Sequence, residues 1–236
     1  MTLPWFKGRL AAFDTETTGV DPLTARIVTA AVVSVGGIEQ MVEGRWVICP
    51  DIDIPEGAAK IHGFTTERAR REGRPPYDAL AEIVRELAAA WKREEPVVIF
   101  NAPYDLTVLC AELRRHSLPT LEIGPVVDPL VLDKQLDKYR KGSRKLEAIC
   151  EFRSVRHDGA HDSTHDAIAA ARLAYRLASL YDEIGSFSPH DLHQLQIAWF
   201  AEQARGLAAH FAKQGKTETV STEWPVRTLP AMQEVA

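Results

Sequence analysis

Apolar and polar residues alternate along this chain in two rhythms. Short, mainly apolar runs at 9–15 (RLAAFDT), 27–35 (IVTAAVVSV) and 41–49 (MVEGRWVIC) read as strands, and Gly36-Gly37 between the last two predicts a hairpin. Residues 77–92 place apolar positions at helical spacing. VVIF at 97–100 reads as a short buried strand, after which NAPYD turns the chain into a helix over roughly 104–116. Residues 125–136 predict a strand running into a short helix, LEAICEF (146–152) a further helical piece, and 167–181 a strong helix. Three hairpin-like strands followed by alternating strand and helix predict an α/β fold, a mixed sheet flanked by helices.

A last helix opens at Ser188-Pro189-His190-Asp191. Serine as N-cap, proline at the first helical position and an acid three residues after the cap form a capping-box pattern. The helix is expected to run to about Lys213, with Gly215 as its stop and Leu192, Leu195, Trp199 and Phe200 on its apolar side. Residues 214–236 show little periodicity and are expected to be poorly ordered. The chain therefore divides, as an expectation, into a main domain at 1–185 and a C-terminal helix with a flexible tail at 186–236.

Composition narrows the class. Of 236 residues, 45% are hydrophobic and 26% charged, enough to bury a real core. A formal charge of −5 gives no global positive field to advertise nucleic-acid binding, although a local basic patch would serve. Three separated cysteines, Cys49, Cys110 and Cys150, support neither a disulfide framework nor a zinc ribbon. The first residues, MTLPWFKGRLAAFD, lack the apolar run of a secretion signal, and no stretch approaches membrane-spanning length. A soluble, cytoplasmic protein is the expectation.

Three clusters bear on chemistry. In FDTETTGVD (13–21), Asp14 and Glu16 stand two apart on a strand and project to the same side, roughly 6–7 Å apart. Two ionised acids so placed repel each other and call for a cation or a raised pKa, and hard divalent cations prefer oxygen ligands. An ordinary polar strand end would look the same. In VVIFNAPYD, Asp105 falls in the first turn of a helix that follows a buried strand, the kind of position where α/β sites gather, though helix-dipole stabilisation alone would explain it. In RHDGAHDSTHDAIAAARLAYRL, His-Asp occurs three times at four-residue spacing. A continuous histidine stripe would require Gly159 in mid-helix, unfavourable by about 1 kcal/mol. Counting from Asp166, positions 169, 170, 173, 177 and 180 are apolar, so Asp166 opens the packing face. An acid there is costly unless it is paired or binds a cation. His165 shares the solvated face of Arg172 and Arg176, Asp162 is placed to cap the helix, and His161 is free to lean over the site from the preceding loop. His157, Asp158 and His165 are expected to be bystanders.

FDTETTG, NAPYD and the H-x-x-x-x-D from His161 to Asp166 together resemble the three motifs of the DnaQ-like 3′–5′ exonucleases, the histidine subclass of the DEDD superfamily. IHGFTTERA (61–69) resembles the segment between the first two motifs, and the likeness spans about residues 9–182. The resemblance implies a ribonuclease H-like core and removal of nucleotides from a 3′ end with two Mg²⁺ or Mn²⁺ ions. By position, Asp14, Glu16, Asp105 and Asp166 would be the metal carboxylates and His161 the general base. Asp14 would bridge the ions, Glu16 and Asp166 would complete the one that binds the water, and Asp105 would serve the other. It further implies that Thr15, Thr17 and Thr18 grip the terminal nucleotide, that His62 and Phe64 lie near its base, and that Asn101 lies near the scissile bond.

Two basic runs, KQLDKYRKGSRK (134–145) and ERARREGR (67–74), are candidates for phosphate contact or simply solvated faces. The leading expectation is an exonuclease acting on single-stranded or frayed 3′ ends of DNA, with a DNA polymerase as candidate partner and proofreading as a candidate role. RNA trimming and a catalytically silent docking module are the alternatives.

Overall fold

The computed structural model describes residues 3–37 and 41–231. Part of the expected Gly36-Gly37 hairpin loop, residues 38–40, lies outside the described residues, as do 232–236 of the tail. Strands β1 (Arg9–Thr17), β2 (Ile27–Gly36) and β3 (Val42–Val47) form an antiparallel meander. Two short strands, β4 (Val97–Val98) and β5 (Val126–Val127), add in parallel on the other side of β1, giving the order β3-β2-β1-β4-β5. This is the mixed sheet expected, but the strands expected at 97–100 and at the start of 125–136 are only two residues each.

β1 is the central strand, and its side chains sort by parity. Ala11 and Phe13 enter the core that faces α3 (Pro76–Lys92) and α4 (Ala102–Arg115). Leu10 and Ala12 enter the core on the other face, against α7 (Ser163–Leu180), α5 (Pro129–Leu136) and α6 (Leu146–Phe152). The contact between α7 and the sheet is rich in small residues. Ala167, Ala169, Ala170, Ala171 and Ala174 on the helix meet Ala12 and Ala31 on the sheet, all essentially excluded from water. Small side chains let the helix axis approach closely, which draws the start of α7 towards the carboxyl end of β1. Leu180, counted on the packing face from its spacing, is the last residue of α7 and is 47% exposed.

Two short helices that periodicity did not reveal, α1 (Glu56–His62) and α2 (Thr66–Glu72), lie between β3 and α3. A third, α8 (Asp182–Ser186), links α7 to α9 (Pro189–Lys213), whose Ser188 cap accepts the Asp191 amide at 3.1 Å. α9 is not a separate unit. The Gln196 amide, fully buried, accepts the Asp128 N–H at 2.7 Å and donates to the Val126 carbonyl at 2.9 Å. His193 Nδ1 accepts the Val126 N–H at 3.1 Å. Side chains of α9 thus satisfy the open edge of β5 as a neighbouring strand would, because buried backbone groups must be paired. Helix α9 therefore packs on the rest of the chain across the boundary expected at residue 185. Residues 214–231 form neither helix nor strand, yet Trp224 is buried in the α3/α4 core and Arg227 N–H bonds Thr107 Oγ1 at 2.9 Å. An aperiodic segment can still be ordered by one large apolar anchor. Among the described residues no helix is long and apolar enough to cross a membrane.

Candidate active site

The carboxyl end of β1, the first turn of α4 and the first turn of α7 converge. Asp14 and Glu16 continue the even-numbered face of β1, the face that packs on α7, so both project towards Asp166. Asp105 comes from the opposite layer. Asn101 adopts a left-handed conformation (φ 63°), which turns the chain sharply out of β4, and Pro103 fits the first helical turn. Buried Asp128, just after β5, receives the Asn101 and Ala102 N–H groups at 3.0 Å each and the Leu130 N–H at 3.0 Å. It therefore fixes the start of both α4 and α5. It also accepts Trp224 Nε1 at 3.3 Å, which connects the tail to the support of Asp105.

The four acids form a concentration of negative charge. Burial, then the charges of Asp105, Asp166, Glu16 and Asp162, raise the Asp14 carboxyl well above its ordinary range. Burial and the charges of Asp166 and Asp105 push Glu16 up to about 8. Burial raises Asp105 to about 7, against the pull of the Thr15 N–H (3.0 Å) and hydroxyl (2.6 Å) on its Oδ1. Among the described residues no lysine or arginine forms an ion pair with any of the four. Glu16, His161 and Asp166 each offer a ligand atom, and these atoms lie within 4.8 Å of one another. Clustered carboxylate oxygens whose protons are held this tightly are a donor set suited to hard divalent cations, so the residues present fit the metal their pattern implies.

The three His-Asp pairs resolve unequally. Gly159 has φ 140° and His161 φ 67°, so residues 157–161 are a loop and no helical stripe exists. Asp162 caps α7, accepting the Thr164 and His165 N–H groups at 3.0 and 3.2 Å. His165 is exposed. His161 meets the site twice: its backbone N–H donates to Asp166 Oδ2 at 3.1 Å, and a ring nitrogen lies within 4.8 Å of carboxylate oxygens of Glu16 and Asp166. His157, expected to be a bystander, is not. Its side chain is only 9% exposed and its Nε2 lies 2.5 Å from Asp166 Oδ1. The positive φ at Gly159 allows the loop to fold back, and sequence spacing carries no trace of that return. Asp158 is also engaged, pairing with Arg172 at 2.8 Å and with Arg156 to fasten the loop to α7.

The remaining candidates fall into two groups. The hydroxyls of Thr15, Thr17 and Thr18 are all occupied within the protein, by Asp105, by Tyr104 and the Gly19 carbonyl, and by the Arg26 N–H, respectively. His62 and Phe64 instead border a small cavity of about 190 Å³ that is also lined by Arg45, Arg68 and His161. Burial depresses the His62 pKa, and its Nε2 has no hydrogen-bond partner among the described residues. Asn101 borders a second, more open cleft of about 660 Å³ that contains the four acids, His161, Phe100, Tyr104, Arg144 and Lys145. The two meet at His161. A larger cavity of about 1020 Å³, between Trp5, Arg9, Trp91 and Phe187, includes none of the candidate site residues.

A family described as Exonuclease (RNase_T) matches residues 11–174. The chain is 27% identical over 152 residues to DNA polymerase III subunit epsilon of Haemophilus influenzae, covering 61% of this chain and 56% of that protein. It thus spans little more than half the length of the curated relatives it matches. Its fold is shared with exonuclease I of Methylocaldum szegediense (TM-score 0.63, 20% identity, 76% of this chain and 42% of that one). The same holds for the zinc-bound form of the Escherichia coli exonuclease I–ssDNA complex (TM-score 0.62, 19% identity, 75% and 42%).

Proposed function

This chain belongs to the exonuclease family that its residues 11–174 match, and from that premise we propose that it is a metal-dependent 3′–5′ exonuclease acting on single-stranded or frayed DNA ends. One observation carries the reading: Asp14, Glu16, Asp105 and Asp166, drawn from three elements, share one cleft with His161. Asp14, Glu16, Asp105 and Asp166 would hold two divalent cations, Mg²⁺ or Mn²⁺, which when bound would acidify a water and offset charge on the phosphate and on the leaving oxygen. The protein's own part is positional and acid–base. Thr15 and Asp128 hold Asp105 and the turn that presents it. His157 and the His161 backbone hold the two oxygens of Asp166. The His161 ring accepts the proton of the attacking water. The water oxygen bonds to phosphorus, the bond to the 3′ oxygen breaks, and that oxygen leaves with a proton, releasing a nucleoside 5′-monophosphate.

DNA is favoured over RNA because a solved relative of the same fold is a complex with ssDNA and a curated relative is a DNA polymerase subunit. That subunit also makes a DNA polymerase a reasonable partner for this chain, with proofreading as the corresponding role. The test uses 5′-labelled single-stranded DNA and RNA with Mg²⁺, Mn²⁺ or EDTA. The expected result is a ladder shortening from the 3′ end, abolished by EDTA and faster on DNA. Absence of metal-dependent shortening of either strand would overturn the reading, and faster RNA cleavage would transfer it to RNA.

A further inference from the structure

The two basic runs contain many cations, but the structure commits most of them. In 67–74, Arg68 bonds Glu72 at 2.9 Å and lies 3.8 Å over the Phe64 ring. Arg70 pairs with Asp53 at 2.8 Å, Arg71 with Glu72 at 2.6 Å, and Arg74 with both oxygens of Glu82 at 2.6 and 2.7 Å. In 134–145, Arg140 and Arg144 join Arg153 around the fully buried Asp133. Arg144 also donates to the Asp137 carbonyl at 2.6 Å and the Arg140 carbonyl at 3.3 Å. Lys138 pairs with Glu202 at 3.1 Å.

Lys134, Lys141 and Lys145 have no ion-pair partner among the described residues, and of these three only Lys145, which is exposed, borders the acid cleft, beside Arg144. Its backbone is held at the start of α6 by the anchored Arg144 and by Ser143, whose hydroxyl accepts the Lys145 N–H at 3.2 Å. We propose that Lys145 binds a backbone phosphate of the substrate strand, one nucleotide or more upstream of the scissile bond. This rests on the exonuclease reading above. The two cavities that meet at His161 differ in size. The smaller, about 190 Å³ and lined by His62 and Phe64, suits one terminal nucleoside. The open cleft of about 660 Å³ is then the path of the strand, and Lys145 stands on that path. A lysine ammonium is a compact cation suited to a phosphate oxygen.

The experiment compares wild type, Lys145→Gln, Lys145→Arg and Lys141→Gln on an oligo-dT substrate and on the p-nitrophenyl ester of thymidine 5′-monophosphate, which has no upstream phosphate. For Lys145→Gln we expect a roughly three- to tenfold rise in KM on the oligonucleotide with little change in kcat. The plot of log(kcat/KM) against log salt should flatten by about 0.7, the value for one single-strand phosphate contact. Ester hydrolysis should stay at wild-type rate, Lys145→Arg should recover the oligonucleotide KM, and Lys141→Gln should leave the slope unchanged. An unchanged slope and KM in Lys145→Gln would overturn the proposal, as would an equal loss on the ester. Oligonucleotide binding followed by fluorescence anisotropy with Ca²⁺ yields the same slope without turnover. An inactive wild type would therefore defeat the exonuclease reading while the Lys145 contact is still decided.

Discussion

Removing the His157 ring tests the least anticipated contact of the site. His157→Ala deletes the partner of Asp166 Oδ1, a 2.5 Å contact made by a side chain only 9% exposed. Asp166 keeps its other anchor, the His161 N–H at 3.1 Å, so the carboxylate is loosened rather than lost. A hydrogen bond to a charged group contributes about 1.5–3 kcal/mol. At 1.36 kcal/mol per tenfold, that is roughly a 10- to 150-fold loss. Groups that orient metal ligands cost a similar 10–100-fold when mutated. The assay is kcat/KM on single-stranded DNA together with the Mg²⁺ concentration giving half-maximal rate. His157→Ala should lower the first by about 10–100-fold and raise the second. His161→Ala should lose about 10²–10⁴ in rate with less change in the Mg²⁺ requirement, because any residue at 161 supplies the backbone N–H. His165→Ala, altering an exposed ring, should match wild type. A His157→Ala variant within twofold of wild type on both measures would refute the argument.

Other expectations follow from the same contacts. Thr15→Val removes the 2.6 Å hydroxyl bond to Asp105 and leaves the amide bond, so kcat should fall by about tenfold or more, measured on the same oligonucleotide. In EDTA, melting temperature should decline between about pH 4 and pH 8 and level off above. Glu16 and Asp105 have folded pKa values raised to about 8 and about 7, so their stabilising contribution is full below their ordinary values and lost as pH rises through the raised ones. Scanning calorimetry should show that decline flattened in Glu16→Gln, and a decline of unchanged steepness would contradict the assignment. Trp224→Ala, which removes a buried ring from the α3/α4 core, should lower unfolding free energy by about 3–5 kcal/mol in urea titration. Little change would mean that the tail is not anchored there.

What could be read in the sequence is what local periodicity encodes. Alternation along β1 put Asp14 and Glu16 on one face, helix phasing put Asp166 on the buried side of α7 and His165 on the wet side, and strand-turn-helix chemistry put Asp105 at a helix start. Contacts that close over long sequence distances were not legible. His157 reaches Asp166 through two backbone positions of positive φ, an arrangement without periodic trace. Gln196 is a polar residue on a long amphipathic helix, normally a surface position, and only the unpaired edge of β5 explains its burial. Trp224 lies in a stretch without rhythm and is ordered by a core more than a hundred residues away. The threonines illustrate a different limit: a motif announces which residues gather at a site, whereas hydrogen bonding decides which of them face inward, as Thr15 does towards Asp105.

The covering of β5 by α9 also restricts how this protein can join another. A partner that recognises its target by adding a strand needs a row of free backbone donors and acceptors. At β5 that row is already filled by Gln196 and His193. The opposite margin of the sheet is β3, whose Arg45, Trp46 and Val47 also border the small cavity beside His161. Strand addition to this sheet is thereby confined to β3, and a protein seated on that margin would lie against the wall of the pocket assigned to the terminal nucleoside.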